Sequence, residues 1–373
     1  MKKRSLFLPL YLFAQLAMAQ APHTHAHQRA IEFPDVPAYQ TLVCDFHQHT
    51  AFSDGSVWPD IRVQEALRDS IDAISLTEHL EYQPHKADIP HPDRNRSYEL
   101  AEDNARAYGL IVVKGSEITR RMPPGHTNAI FIQDANKLLI QDSIEVFREA
   151  KRQGAFTFWN HPNWTAQRPD GIARLTAFHL QLIEEGLLDG IEVVNDLTYS
   201  DEALQIALEY NLTIMGTSDI HGLVDWQFQI PEGGHRPVTL VFATERTKEA
   251  IKEALMDRRT VAWFNNTLIG RPAQLLPLIE ASLSVVKATY FGPSSVAVIT
   301  IRNTSDAEYV LQSQSGYTFH TGTDLIVLHP QAETEIQVKT LEQLEEFDLV
   351  FSVLNAVTAP NEHPSITLRV DME

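Results

Sequence analysis

The chain has 373 residues, of which 43% are hydrophobic and one is cysteine, values that exclude a disordered protein and suit two domains. With 49 acidic against 30 basic residues the formal charge is −19, which argues against long DNA or RNA as a partner yet leaves room for one small phosphate at a local cationic site. A single cysteine excludes an intrachain disulfide, and its setting between Val43 and Phe46 marks Cys44 as a buried strand thiol.

At the N-terminus Lys2, Lys3 and Arg4 precede an apolar run over 6–17 and then Ala17-Met18-Ala19. These are the three parts of a secretory signal, so cleavage is expected after Ala19 and the mature chain, from Gln20, is expected in the periplasm or outside the cell. The run is too short to span a bilayer and Pro9 interrupts it, so no stable membrane anchor is expected. Without the leader, 27 basic residues face 49 acidic ones, a formal charge of −22. Residues 20–40 hold His23, His25, His27 and three prolines without periodicity, and read as a linker.

From Thr41 onward, apolar runs over 42–46, 73–76, 110–113, 129–132, 155–159, 191–194, 213–215 and 238–242 read as strands. Amphipathic stretches over 60–69, 98–108, 144–153, 175–185, 201–209 and 248–258 read as helices, with start signals such as Ser200 before Asp201. Alternating strands and helices mean parallel strands joined by right-handed crossovers, either in an open sheet or in a barrel. Polar residues close the strands from the first to the seventh, and only a closed barrel, over 41–273, brings so many strand ends around one point. After Pro272 the texture changes to seven short β-type runs between turns rich in Gly, Pro, Ser and Asn, which predicts a small immunoglobulin-like sandwich over 274–373. His320, His329 and His363 are isolated there and carry no chemistry.

The polar strand ends hold the chemistry. They are His47 and His49, Asp54, His79, Glu117, His126, His161, and Asp219 with His221. His47 and His49, two apart on an extended run, present both imidazoles to one face. Glu117 can bridge two cations with its two oxygens, and Asp219 with His221 repeats the two-residue spacing. Nine such donors are too many for one metal and suit a cluster of two or three, which points to a metal-dependent hydrolase. Asp45 and Glu78 stand beside these donors but are expected to face away from them.

His47-Gln48-His49-Thr50, Ser53-Asp54-Gly55, Thr77-Glu78-His79, Gly115-Ser116-Glu117, Asn160-His161-Pro162 and Ser218-Asp219-Ile220-His221, in that order, resemble the motifs of the PHP (polymerase and histidinol phosphatase) superfamily. The resemblance spans residues 42–271. It implies a distorted, TIM-like barrel of seven βα units that holds two or three divalent metals, Zn, Mn or Fe, at the strand C-termini. By analogy one metal takes His47, His49, Glu117 and Asp219, a second Glu117, His126 and His161, and a third Asp54, His79 and His221. Glu117, Asp219 and His221 are also placed in the catalytic set. The leader, the sandwich and phrases such as Met122-Pro123-Pro124-Gly125-His126 and Arg236-Pro237-Val238 are similar to exported PHP-type phosphodiesterases acting on small organophosphate diesters.

Two cations about 4 Å apart can acidify a water and hold phosphoryl oxygens, so no serine or cysteine nucleophile is needed. Arg120, Arg121, His235 and Arg236 are candidates for phosphate or leaving-group contact, with Arg168 a further cation on the candidate loops. A diester is a monoanion and needs fewer cationic side chains than a monoester, so a phosphodiesterase is favoured, with a phosphomonoesterase as the alternative. Two other classes stay open: an amidohydrolase using Lys114 as the bridging group, and a non-catalytic exported metal-binding or adhesion protein.

Overall fold

The structure, a computed structural model, describes residues 29–373. The expected signal segment 1–19 and the first part of the expected linker lie outside these residues. From Arg29 on, the linker is a strap packed on the barrel. Ile31 and Val36 are buried, Ile31 N–H donates to the Asp69 carbonyl at 3.0 Å, and the Phe33 ring stands edge-on to Trp263 at 5.1 Å. The strap is extended, so its apolar anchors have no helical or strand period by which the sequence could announce them.

Three strands, β1 (Gln40–Gln48), β2 (Ala73–Leu76) and β3 (Ile111–Thr119), run parallel. β4 (His126–Ile130) returns antiparallel between β3 and β5 (Phe156–Trp159). Only residues 120–125 join β3 to β4, too few for the crossover that a parallel neighbour needs. Next come β6 (Gly190–Asn195), the two-residue β7 (Thr198–Tyr199) hairpinned onto it, and β8 (Thr213–Thr217), parallel to β6. On the other flank of β1 lie β9 (Val238–Ala243), β10 (Thr260–Phe264) and β11 (Thr267–Gly270), successive neighbours all antiparallel. The fold is thus the expected distorted barrel, but its sheet is mixed and not a uniform βα repeat.

The helices are α1 (Pro59–Arg68), α2 (Arg96–Ala105), α3 (Glu145–Arg152), α4 (Ala177–Glu184), α5 (Asp201–Glu209), α6 (Val224–Gln227) and α7 (Lys248–Met256). α7 plugs the barrel end opposite the strand C-termini. Its Ala250, Ile251, Ala254 and Leu255 join Leu42, Cys44, Phe46, Phe156 and Met215 in one core, and the Leu255 carbonyl accepts from Thr213 Oγ1 at 2.7 Å. No ladder joins β8 to β9 or β10; threonine hydroxyls bridge the seam instead. Thr239 Oγ1 donates to the Gly216 carbonyl at 2.8 Å and accepts from Gly216 N–H at 3.0 Å, while Thr260 Oγ1 donates to the Ile214 carbonyl at 2.8 Å.

α8 (Pro272–Ser282) runs across the expected boundary at 273/274. The sandwich follows as β12 (Leu283–Tyr290), β13 (Val296–Asn303), β14 (Tyr309–Ser313), β15 (Thr318–Phe319), β16 (Leu325–Leu328), β17 (Glu333–Lys339), β18 (Glu346–Val353), β19 (Ala356–Val357) and β20 (Ser365–Asp371). Two four-stranded sheets form it, in orders β12-β13-β17-β15 and β16-β14-β18-β20. β19 leaves the sandwich and pairs in parallel with β11 of the barrel.

Candidate metal centre

All nine donors meet at the C-terminal ends of the barrel strands. β1 carries His47 and His49; strict alternation would set Asp45 on the same face, but a register shift against β2 between Asp45 and Gln48 turns it away. The two Nε2 atoms of His47 and His49 stand 3.0 Å apart, with Asp219 Oδ1 at 3.1 and 3.2 Å from them. Glu117, fully buried on β3, has Oε1 3.1 Å from His126 Nδ1, 3.5 Å from His161 Nε2 and 3.6 Å from His47 Nε2, while its Oε2 touches His79. Asp54 completes the cluster at 3.3 Å from His79 Nε2 and 3.1 Å from His221 Nε2. His126 opens β4, so it too stands at a strand end, although of a strand running the other way.

Three overlapping groups have donor atoms within 4.8 Å of one another: His49, Asp54, His79 and His221; His47, His49 and Asp219; His79, Glu117 and His126. His161 belongs to none of them and borders the cluster, 3.5 Å from Glu117 Oε1 and 4.0 Å from Asp219 Oδ2. Asp54 Oδ1, Glu117 Oε2 and Asp219 Oδ1 are buried without a hydrogen bond, although imidazole nitrogens surround them. Buried carboxylate oxygens without donors are unfavourable unless a cation sits among them. The residues therefore fit divalent metals, as hard and borderline donors converging on common points. His161 and Asp219 hold positive φ of 28° and 47°, a strained backbone of the kind that gathers at functional sites.

The crowded charges shift the donors against one another. Burial alone would lower His47, but Asp219, Glu192 and Glu117 outweigh it and push its pKa up to about 10. His79 is likewise raised to about 11, by Glu117 and Asp54 against burial. His49 drops to about 3 through burial and the neighbouring His79. Burial would raise Glu117 and Asp219, yet the imidazoles hold both well below the usual carboxylate range.

Several residues that the motif reading passed over set the geometry. Glu192 on β6, 1% exposed, accepts from His47 Nδ1 at 2.7 Å, from His161 N–H at 2.7 Å and from Thr217 Oγ1 at 2.6 Å. His47 thus presents the lone pair of Nε2 to the cluster. Asn160 Nδ2 donates to Glu117 Oε1 at 2.8 Å. Arg62 of α1, fully buried and paired with Glu65 at 2.6 Å, donates to the carbonyls of His49 at 3.0 Å and Ile220 at 3.1 Å, tying two donor-bearing segments together. Glu78 accepts from Thr50 and Ser53, and Ser53 Oγ lies 3.1 Å from His49 Nδ1. The signal was present in the sequence: Glu192 is a charge inside an apolar strand run, and Arg62 one on the buried stripe of a helix.

Most of the expected substrate contacts lie elsewhere. Arg236 is fully buried between Asp69 and Asp45, at 2.7 and 3.3 Å, and holds the β1 and α1 ends together. His235 stacks on Trp263 at 3.5 Å, donates from Nδ1 to the Arg236 carbonyl and accepts Asn266 N–H at Nε2, so both nitrogens are committed. Both residues line a cleft of about 860 Å³ between strap, barrel and sandwich that contains none of the nine donors. Arg120 is spent on Glu81 and the carbonyls of Ile140 and Gln141, and Arg168 Nη2 donates to the Arg174 carbonyl. Arg121 alone of these guanidiniums is exposed and, among the described residues, without an ion pair. Lys114 donates to the Gln133 carbonyl beside the Tyr98 ring and does not join the cluster, which removes the bridging lysine of the amidohydrolase reading.

Comparison with known proteins places this geometry. Residues 283–369 match a family model described as an Ig-like domain. A two-domain protein containing a predicted PHP-like metal-dependent phosphoesterase, from Bacteroides vulgatus ATCC 8482, is 42% identical with a TM-score of 0.85, covering 91% of this chain and 98% of its own. A putative metal-dependent phosphoesterase from Bifidobacterium adolescentis ATCC 15703 is 16% identical over 51% of this chain and 90% of its own, with a TM-score of 0.39. PsfC from Pseudomonas syringae PB-5123 is 17% identical over 65% and 96%, with a TM-score of 0.40. At such scores these last two bear on neither fold nor function. No curated protein matches the chain. Shared over nearly the full length of both chains, the first likeness assigns this protein to the two-domain proteins that contain a PHP-like metal-dependent phosphoesterase.

Proposed function

We propose that the protein is an exported metal-dependent phosphodiesterase that hydrolyses small organic phosphodiesters. The observation that carries the reading is the convergence of eight imidazole and carboxylate donors in three overlapping groups, with His161 3.5 Å from the Glu117 carboxylate among them. Bound divalent cations supply Lewis-acid polarisation of the phosphoryl group and acidify a water. His47, His49 and Asp219 would hold one; His126 and His161, with Glu117, a second; Asp54, His79 and His221 a third, with Glu117 and His49 shared. Glu192 accepts from His47 Nδ1 and so leaves Nε2 to the centre, and Asp219, the carboxylate beside His47 and His49, would accept the proton of the attacking water. His221 has the most exposed side chain of the nine, at 38%, and would be the donor within reach of the departing oxygen.

In the reaction one water adds across one P–O bond, giving a phosphomonoester and an alcohol. A monoester dianion would need several free cations, whereas three of the four arginines that could supply them are tied to carbonyls or carboxylates. Dialysis against a chelator should abolish hydrolysis, and Mn should restore it with two or three ions per chain by elemental analysis. Full activity of the metal-free protein would contradict the reading. Export is tested separately: N-terminal sequencing of the product secreted with its own leader should begin at Gln20.

A further inference from the structure

Two aromatic side chains project from the rim of the centre, and neither takes part in holding it. Trp164 is 45% exposed and Tyr82 52%. Each follows a donor histidine by three residues, Trp164 after His161 and Tyr82 after His79. Trp164 leans on the donors themselves, its ring 5.1 Å from His161 edge-on and 5.5 Å from His126. Tyr82 stands edge-on to His79 at 5.7 Å. Since the His79 and His126 rings are 5.5 Å apart, the two aromatics border adjoining parts of one centre.

Their positions are built. Trp164 sits in a tight turn, its N–H donating to the His161 carbonyl at 2.9 Å and its carbonyl accepting from Arg168 at 2.7 Å. Gln167 Nε2 clasps that turn to the Arg120 carbonyl at 3.0 Å. Beside Tyr82, Glu81 accepts Thr119 N–H at 2.8 Å, and Gln83 donates back to the His79 carbonyl. Single exposed aromatics need no explanation, but two rings set against the donors of a reactive centre form a surface that a flat group can cover.

Resting on the phosphodiesterase reading, we infer that the substrate is a phosphodiester whose retained ester group, the one not released, is a flat aromatic that lies against Trp164 and Tyr82 while the phosphate sits at the metals. Aryl groups and nucleobases share this chemistry, because both offer a π-face for stacking. Arg121, exposed on the adjoining loop, suits the single negative charge of a diester.

The test uses three diesters that all release p-nitrophenolate from the Mn-loaded protein: the methyl, phenyl and thymidine-5′ esters of p-nitrophenyl phosphate. In each, water adds at phosphorus and the P–O bond to p-nitrophenolate breaks, so only the retained group differs. The phenyl or thymidine ester should have kcat/KM about tenfold or more above the methyl ester, mainly through KM, and the larger of the two values identifies the source. The ratio should collapse toward one in Trp164→Ala and Tyr82→Ala, recover in Trp164→Phe, and stay unchanged in Tyr108→Ala, an exposed aromatic outside the centre. By calorimetry the non-hydrolysable diphenylphosphinate should bind the wild type at least tenfold more tightly than dimethylphosphinate, and lose that advantage in Trp164→Ala. Equal constants for all three diesters, or a ratio that survives both alanine variants, would overturn the inference. Release from none of the diesters would overturn the phosphodiesterase reading instead.

Discussion

At the scale of single residues the centre is a balance between carboxylates and whatever positive charge lies among them. His47 and His79, raised to about 10 and about 11 from 6.5, stabilise the cation-free fold fully below pH 6.5, and that contribution fades as pH rises through the folded values. A metal must displace those protons. Loading near pH 7 should therefore release protons, and affinity should rise with pH, as calorimetry in two buffers of different ionisation enthalpy would show; loading without proton release would contradict the assignment. Glu192→Gln should weaken metal binding about 10- to 100-fold by removing the partner that fixes His47, measured by competition with a chelating dye. His161→Ala should remove one ion and nearly all hydrolysis, and full activity would mean the cluster is misread. Most donors were legible because they follow an apolar run, as His47 and Glu117 do, whereas His126 opens its strand. Arg236 was not: next to His235 at the opening of a strand, it resembles a loop cation, whereas Asp45 and Asp69 pull it into the interior.

At the scale of elements, the barrel depends on close approaches that a side chain would block. A Cβ on Gly216 would stand 2.8 Å from Ala262 Cβ and 3.0 Å from the Val238 carbonyl, in the seam bridged by threonines. Gly216→Ala should therefore destabilise by about 1–3 kcal/mol, read as a lower urea midpoint. His179 fixes α4 to the loop before β4, its Nε2 donating to the Pro124 carbonyl at 2.6 Å and its ring lying 4.0 Å from Trp159. Burial lowers its pKa to about 4 from 6.5, so its contribution is intact above pH 6.5 and is lost as pH falls toward 4. His179→Gln, which can still donate, should show less acid loss of stability than the wild type over that window. The eight strand runs from 42 to 242 were legible from apolar patterning, but the direction of β4 was not, because it is set by the length of the 120–125 connection. The β10–β11 hairpin was passed over, although Asn265 and Asn266, with φ of 45° and 58°, are the residue type such a two-residue turn requires.

At the scale of the whole molecule, barrel and sandwich share structure. One apolar core runs from Val63 and Leu240 through α8 to Leu349 and Val370. Asn355 Nδ2 donates to the carbonyls of Asn266 at 2.8 Å and Glu308 at 2.6 Å, beside the β11–β19 pairing. Thermal unfolding should accordingly be one cooperative transition, and a chain ending at residue 282 should melt well below the full protein; two separate transitions would show the domains to be independent. The sandwich was legible from its short β-type runs between turns rich in Gly, Pro, Ser and Asn, and in β20 every second residue is indeed buried. The joint was not, because a two-residue strand such as β19 has no period to read. The measurement that bears most directly on the proposed activity is the ratio of hydrolysis rates for bis(p-nitrophenyl) phosphate and p-nitrophenyl phosphate, with the Mn-loaded mature protein and His161→Ala as background. A ratio well above one is expected from a centre rich in metal donors and poor in free cations. A ratio well below one would contradict the phosphodiesterase reading and assign the site to monoesters.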